Sequence, residues 1–200
     1  MGIGDLTRPA VFLDRDGVIN ALVLNPKTDR MESPLMPDAV QVLPGVPPAL
    51  FRLQSAGYSL VLVSNQPNYA LGKCTLDTLG VIHNRLAAEL IRDQVHFTRV
   101  CYCLHHPKGV LPGYSGLCVC RKPSPWFLLR ARDDFGLSLA ESWMIGDQPT
   151  DIQCGKSAGT RTIRVGSVPG ISGHKGSPAA DYAVGSMVEA VEVILGQPIR

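Results

Sequence analysis

Runs of apolar residues closed by polar or turn-forming ones recur along the chain: AVFLD at 10–14, SLVLVSN at 59–65, RVCYC at 99–103, SWMIGD at 142–147 and TRTIRV at 160–165. Runs that are apolar throughout, rather than alternating, mark strands covered on both faces. Between them the apolar residues return at helical spacing. Segment 75–93 sets Leu79, Ile82, Leu86 and Leu90 on one stripe, and 45–56, 124–136, 150–158 and 186–195 read as further helices, the last preceded by a short strand, DYAV. Ser124 and Pro125 suit the N-cap and first position of their helix. Helices alternating with buried strands predict an α/β fold, a doubly wound parallel sheet. Three segments depart from the rhythm: a Pro-rich flap region at 20–44, a cysteine-bearing loop at 101–122 and a Gly/Ser/Pro-rich flexible connection at 166–178. With no internal repeat, residues 1–200 are expected to form a single domain.

The strands end in chemically able residues: Asp14, Ser64 with Asn65, and Asp147. In open α/β sheets ligands bind outside the carboxyl ends of the strands, so these ends are expected to converge on one site. Asp14 and Asp16 raise a question, because charges at the end of a buried strand cost desolvation energy and repel one another unless a positive group lies between them. A strand-end aspartate can attack phosphorus when a divalent cation masks the repulsion, and a second carboxylate can protonate the leaving oxygen. Ser64 and Asn65 are candidates to hold phosphate oxygens, Lys122 to supply a fixed cation, and Asp147 with Asp151 to hold a metal. Asp151 could carry a metal-bound water or merely favour a helix N-terminus. Arg15 could form a structural salt bridge or touch substrate, and Asn20 is read as hydrogen-bonding within the loop.

Charge narrows the partners. Nineteen basic and 17 acidic residues leave a net +2, without the basic face or stacking aromatics of a nucleic-acid binder. No run of eighteen apolar residues occurs and the first ten residues lack a signal-peptide pattern, so a cytoplasmic protein with no membrane and no nucleic-acid partner is expected, acting as a monomer.

Four of the six cysteines fall within twenty residues. Cys103, His105, Cys118 and Cys120 supply three sulfurs and an imidazole, the ligand set of a closed, structural Zn²⁺ site. Such a metal contributes folding energy to a loop with no core of its own, and the loop runs into Arg121 and Lys122. Cys101 reads as core; His106 either faces the site or only precedes Pro107; Cys74 and Cys154 read as buried small apolar residues.

FLDRDGVIN, VLVSNQ, CRKP and MIGDQPTDI, in that order, resemble the four motifs of the haloacid dehalogenase-like (HAD) phosphatases over residues 10–165. The resemblance implies a Rossmann-like HAD fold and phosphoryl transfer through an aspartyl-phosphate at Asp14, with Asp16 as general acid/base and Lys122 stabilising phosphate charge. It implies catalytic Mg²⁺ held by the Asp14 carboxylate, the Asp16 backbone carbonyl and Asp147. YCLHHP with CVCRKP resembles the zinc-containing subgroup that includes heptose bisphosphate and histidinol-phosphate phosphatases, which lack a large cap domain. SNQPNYALGK resembles the heptose branch, although Leu71 and Gln148 stand where basic residues are expected. The implied substrate is a small phosphorylated sugar, D-glycero-D-manno-heptose 1,7-bisphosphate losing its C7 phosphate in nucleotide-activated heptose synthesis for surface polysaccharide, with Arg121, Lys73 or the 25–33 flap meeting the second phosphate. Histidinol phosphate or another small sugar phosphate is the alternative substrate. A non-catalytic zinc-stabilised binding module would lack one of Asp14, Asp16, Lys122 or Asp147, and all are present.

Overall fold

The computed structural model describes residues 8–26, 28–166 and 179–196. Six strands form one sheet: β1 (Ala10–Leu13), β4 (Ser59–Asn65), β5 (Arg99–Cys103), β6 (Trp143–Gly146), β7 (Arg161–Val165) and β8 (Tyr182–Val184). Their order is β5-β4-β1-β6-β7-β8 and every neighbouring pair is parallel. The chain builds outward from β1 in one direction, returns, and builds outward from β6 in the other. The order therefore reverses between β1 and β6, the switch point where a doubly wound sheet opens its ligand crevice.

The central runs, β1, β4 and β6, are buried on both faces because helices cover both, whereas β5 at the sheet edge leaves Val100 exposed. Val11 and Leu13 of β1 pack with Leu60, Leu62, Ile145 and Ile163 beneath α1 (Val46–Ser55), α2 (Leu76–Arg92) and α5 (Met187–Leu195). Ala10 and Phe12 face the other way, with Val61, Val63 and Met144, under α3 (Trp126–Phe135) and α4 (Pro149–Ala158). Cys101 and Cys154 belong to this second core, as read from sequence. Cys74, by contrast, is only half-buried, since it sits just ahead of α2 rather than beneath it. The α2 stripe, Leu79, Ile82, Leu86 and Leu90, is buried as its spacing requires. Its start is fixed by the Thr75 hydroxyl, which accepts from the Thr78 N–H at 3.1 Å, a cap worth about 1 kcal/mol.

Helix α3 begins one residue later than expected: Pro125 occupies the N-cap, while the Ser124 hydroxyl still accepts from the Trp126 N–H at 3.3 Å. The 20–44 region contains an antiparallel hairpin, β2 (Val23–Asn25) with β3 (Arg30–Glu32), and a single 3-10 turn at Pro37–Ala39. Apart from Gly166, the 166–178 connection lies outside the described residues. Among the described residues no helix is long and apolar enough to cross a membrane.

Candidate active site

Parallel pairing sets the carboxyl ends of β1, β4 and β6 side by side: Leu13 is in register with Leu62 on one side and Ile145 on the other. Asp14 continues from β1, its N–H donating to the Ile145 carbonyl at 3.0 Å. Beyond it the chain turns back through Gly17, whose φ of +81° is open to glycine and where an added Cβ would lie 2.8 Å from Asp147 Oδ2. Gly146 is forced by closeness alone, since a Cβ there would lie 2.1 Å from that of Asp151.

Lys122 is the buried cation of the site. Its ammonium meets Asp14 Oδ1 at 2.8 Å and Asp151 Oδ1 at 2.7 Å, and donates to the Val63 carbonyl at 2.7 Å. Burial opposes its charge, but the two carboxylates outweigh that and raise its pKa. The Asn65 side chain grips the Lys122 backbone at both ends, accepting from its N–H at 3.0 Å and donating to its carbonyl at 3.1 Å. Asn65 thus places the lysine, and its amide is occupied in doing so.

Asp151 does two things. Its Oδ2 accepts from the Gln148 N–H at 3.0 Å in a capping box that starts α4, and its Oδ1 pairs with Lys122. Burial raises its pKa to about 6 against the lowering effect of Lys122. The carboxylates of Asp14, Asp147 and Asp151 each offer an oxygen within 4.8 Å of the others. Burial first, and the charge of Asp14 second, push Asp147 up to about 7. Gln148 donates to Asp147 Oδ2 at 2.6 Å, whereas the buried Oδ1 has no hydrogen-bond partner among the described residues. A buried carboxylate oxygen without a donor, beside two more carboxylates, has the chemistry of a site for a hard divalent cation.

Asp16 lies in a different environment. Its Oδ1 accepts from Arg15 Nε at 3.1 Å and Asn20 Nδ2 at 2.9 Å; its Oδ2 accepts from Arg15 Nη2 at 3.0 Å and Gln66 Nε2 at 2.7 Å. Arg15 is therefore a buried structural partner of Asp16, and Asn20 bonds within the loop. Because the strand stops at Leu13, strand alternation does not carry Arg15 to the opposite face. Gln66 stands in the VLVSNQ motif, but a glutamine after a strand has no chemical signature and carries no readable role in the sequence; the role arises only where β1 and β4 end together.

Cys103, His105, Cys118 and Cys120 come together. Their sulfurs lie 3.3 to 3.7 Å apart, and His105 Nδ1 is 3.9 Å from Cys103 and 3.6 Å from Cys120. Four ligands around a zinc at about 2.3 Å from sulfur would have edges of roughly 3.8 Å, whereas a disulfide would need about 2.05 Å. The four residues thus fit a tetrahedral metal. His106 turns away: its Nδ1 accepts from the Lys108 N–H at 3.1 Å. The loop is braced on its neighbour by Val110 N–H to the Ala70 carbonyl at 2.7 Å and by Tyr114 against Tyr69, and Arg121 Nη1 donates to the His105 carbonyl at 3.2 Å.

A cleft of ≈ 480 Å³ runs from Asp14, Ser64 and Lys122 past Arg121 to Glu32, Leu71 and Lys73. Lys73 pairs with Glu32 of the hairpin at 3.0 Å. Glu32 also accepts from Thr28 and Asn25, and these bonds together with that from Lys73 lower its pKa to about 2.

The HAD-hydrolase-like family model matches residues 119–186. The chain is 33% identical over 192 residues to the D-glycero-beta-D-manno-heptose-1,7-bisphosphate 7-phosphatase of Salmonella typhi, covering 94% of this chain and 96% of that one. It is 36% identical over 202 residues to the D-glycero-D-manno-heptose-1,7-bisphosphate 7-phosphatase of Thermosynechococcus vestitus, with the same coverage. The crystal structure of D,D-heptose 1,7-bisphosphate phosphatase from B. bronchiseptica, complexed with magnesium and phosphate, superposes with a TM-score of 0.77 at 27% identity, covering 94% of this chain and 98% of that one.

Proposed function

The chain belongs to the HAD-like phosphatases, and from that premise we propose that it removes the C7 phosphate of a D-glycero-D-manno-heptose 1,7-bisphosphate by way of an aspartyl-phosphate. The similarity that extends over nearly the whole of both chains to heptose bisphosphate phosphatases carries the substrate. A cleft long enough to reach from Asp14 to Arg121 and Lys73 supports it.

In this reading Asp14 attacks phosphorus, the bond from phosphorus to the sugar oxygen breaks, and Asp16 gives that oxygen its proton. Water then attacks the phosphorus of the aspartyl-phosphate, yields its proton to Asp16, and inorganic phosphate leaves Asp14 free. Lys122 holds the Asp14 carboxylate in place and balances charge as it develops on the phosphoryl oxygens. Ser64 and the chain at Asn65 hold those oxygens, and Arg121 and Lys73 take the second phosphate. Asp14, Asp147 and the Asp16 carbonyl would hold Mg²⁺, with Asp151 close by, and the unpartnered Asp147 Oδ1 fits that assignment. Bound there, Mg²⁺ would mask the repulsion between the Asp14 and phosphate charges. Zn²⁺ on Cys103, His105, Cys118 and Cys120 would hold the loop that presents Arg121 and Lys122.

Phosphate release from α- and β-heptose 1,7-bisphosphate, fructose 1,6-bisphosphate and histidinol phosphate, with and without Mg²⁺, tests the proposal. A Mg²⁺-dependent preference for one heptose anomer is expected. Preference for histidinol phosphate would overturn the substrate and leave the phosphatase chemistry standing.

A further inference from the structure

We infer that Gln66 is a positioning residue that aims two groups at once, the Asp16 carboxylate and the Ser64 hydroxyl. The inference rests on the reading of Asp16 as the acid and base of the reaction. Gln66 is buried where β1 and β4 end together, and every polar atom of its side chain is engaged. Its Oε1 accepts from Arg15 Nη2 at 2.8 Å, and its Nε2 donates to Asp16 Oδ2 at 2.7 Å and to Ser64 Oγ at 3.1 Å.

The direction of the amide follows from its neighbours. A guanidinium only donates, so the oxygen of Gln66 must face Arg15 and the NH₂ must face the other two groups. Arg15 in turn is fixed by its own fork on Asp16. The ring of Arg15, Gln66 and Asp16 therefore has one arrangement, and an amide flip would place an oxygen against a carboxylate and an N–H against a guanidinium.

Two consequences reach the reacting atoms. The Asp16 carboxylate is held on both oxygens by four N–H donors, which suits the ionised form that takes the proton of the attacking water. Its place is thus set by Gln66, Arg15 and Asn20 rather than by free rotation, and it gives up one of these bonds to carry a proton to the leaving oxygen. Ser64 Oγ accepts from Gln66, so its own hydrogen is directed elsewhere, and Ser64 lines the cleft where a phosphate oxygen would accept it. One buried amide thereby ties leaving-group protonation to phosphate holding.

Gln66→Met keeps the side chain's length and volume and removes both polar atoms. The readout is turnover of a sugar phosphate, whose alkoxide must be protonated to leave, against 4-nitrophenyl phosphate, whose phenolate leaves without a proton. Loss of Ser64 alignment should slow both substrates, and misplacement of Asp16 should slow the sugar phosphate by a further factor of about 10 or more. Asp16→Asn is run beside it. If Asp16→Asn separates the two substrates and Gln66→Met slows them equally, the inference is overturned and the role of Asp16 stands. If Asp16→Asn itself shows no separation, that role fails and the inference falls with it. Should Gln66→Met not yield folded protein by thermal melting, Gln66→Glu replaces it: its carboxylate still accepts from Arg15 but cannot donate to Asp16 or Ser64, so the same separation is expected, and equal slowing again overturns the inference.

Discussion

Asp14 and Asp151 share one buried ammonium while Asp147 stands beside them without one, and the imbalance sets how the protein responds to pH without metal. Asp147 has a folded pKa of about 7, against about 3.9 for an unperturbed aspartate. An acid whose pKa is higher folded than unfolded holds its proton more tightly in the native state. Its contribution to stability is complete below the unfolded value and is lost as pH rises through the folded one. Asp151, raised to about 6, acts in the same direction. The melting temperature of Mg²⁺-free protein should therefore fall between about pH 5 and about pH 8, and added Mg²⁺ should raise it more at the upper end, where it displaces no proton. A melting temperature that is flat over that range and unmoved by Mg²⁺ would show that these carboxylates hold no cation. Asp14→Asn tests the nucleophile: turnover should drop by at least about 10³-fold with the fold kept, because an amide still fills the space beside Lys122. Asp14 and Asp147 were legible in sequence because charge at the end of an apolar run needs an explanation, and Lys122 because that charge needs a cation and CRKP offers one. The role of Gln66 was not, since it comes from Arg15 and Asp16, which the end of β1 sets against it.

The same contrast holds among the elements. Strands β1, β4 and β6 could be read because each is an apolar run buried on both faces, β5 and β7 because their apolar residues are bounded by turn residues although one face is only partly covered, and α2 because its stripe is long. The β2–β3 hairpin left no such trace: each strand has three residues, none fully buried, so no face imposes a period on the sequence. It is positioned instead by polar contacts, above all Glu32 with Lys73. A solvent-screened pair of this kind adds little stability, but it sits in the cleft and neutralises a cation that a second phosphate would need. Replacing Glu32 with Gln should leave the melting temperature within a degree or two and lower KM for the bisphosphate a few-fold, with little change for a monophosphate. The ratio of the two KM values, measured at low salt, checks this; an unchanged ratio would remove Lys73 as a phosphate contact. Leu71, on the same wall, brings no charge to offset the pairing.

At the scale of the whole molecule, the sheet and the zinc-type loop do separate work. Both apolar cores lie between the sheet and its helices, and from residues 101–122 they draw only Cys101 and Tyr102, which belong to β5. The loop beyond β5 has exposed apolar residues, Val110, Leu117 and Val119, and no cluster of its own. Its order comes from its own backbone bonds, such as His106 N–H to the Tyr114 carbonyl at 3.1 Å, from its bonds to the 66–73 segment and, in the reading proposed above, from a zinc on the four ligands. Yet Lys122, the one cation among the described residues that touches Asp14, follows Cys120 by two residues. Removing the metal should therefore uncouple activity from fold. Cys118→Ala should lose the bound zinc measured by atomic absorption and at least about 10-fold in turnover, because Arg121 and Lys122 lose their support. Far-UV circular dichroism should change little, because the two cores and all six strands of the sheet remain. Full unfolding of Cys118→Ala would mean that the loop is needed to close the sheet, and unaltered zinc content would mean that Cys118 is not a ligand. Retained activity without zinc would leave Asn65, which grips Lys122 from both sides, as sufficient support for the lysine by itself.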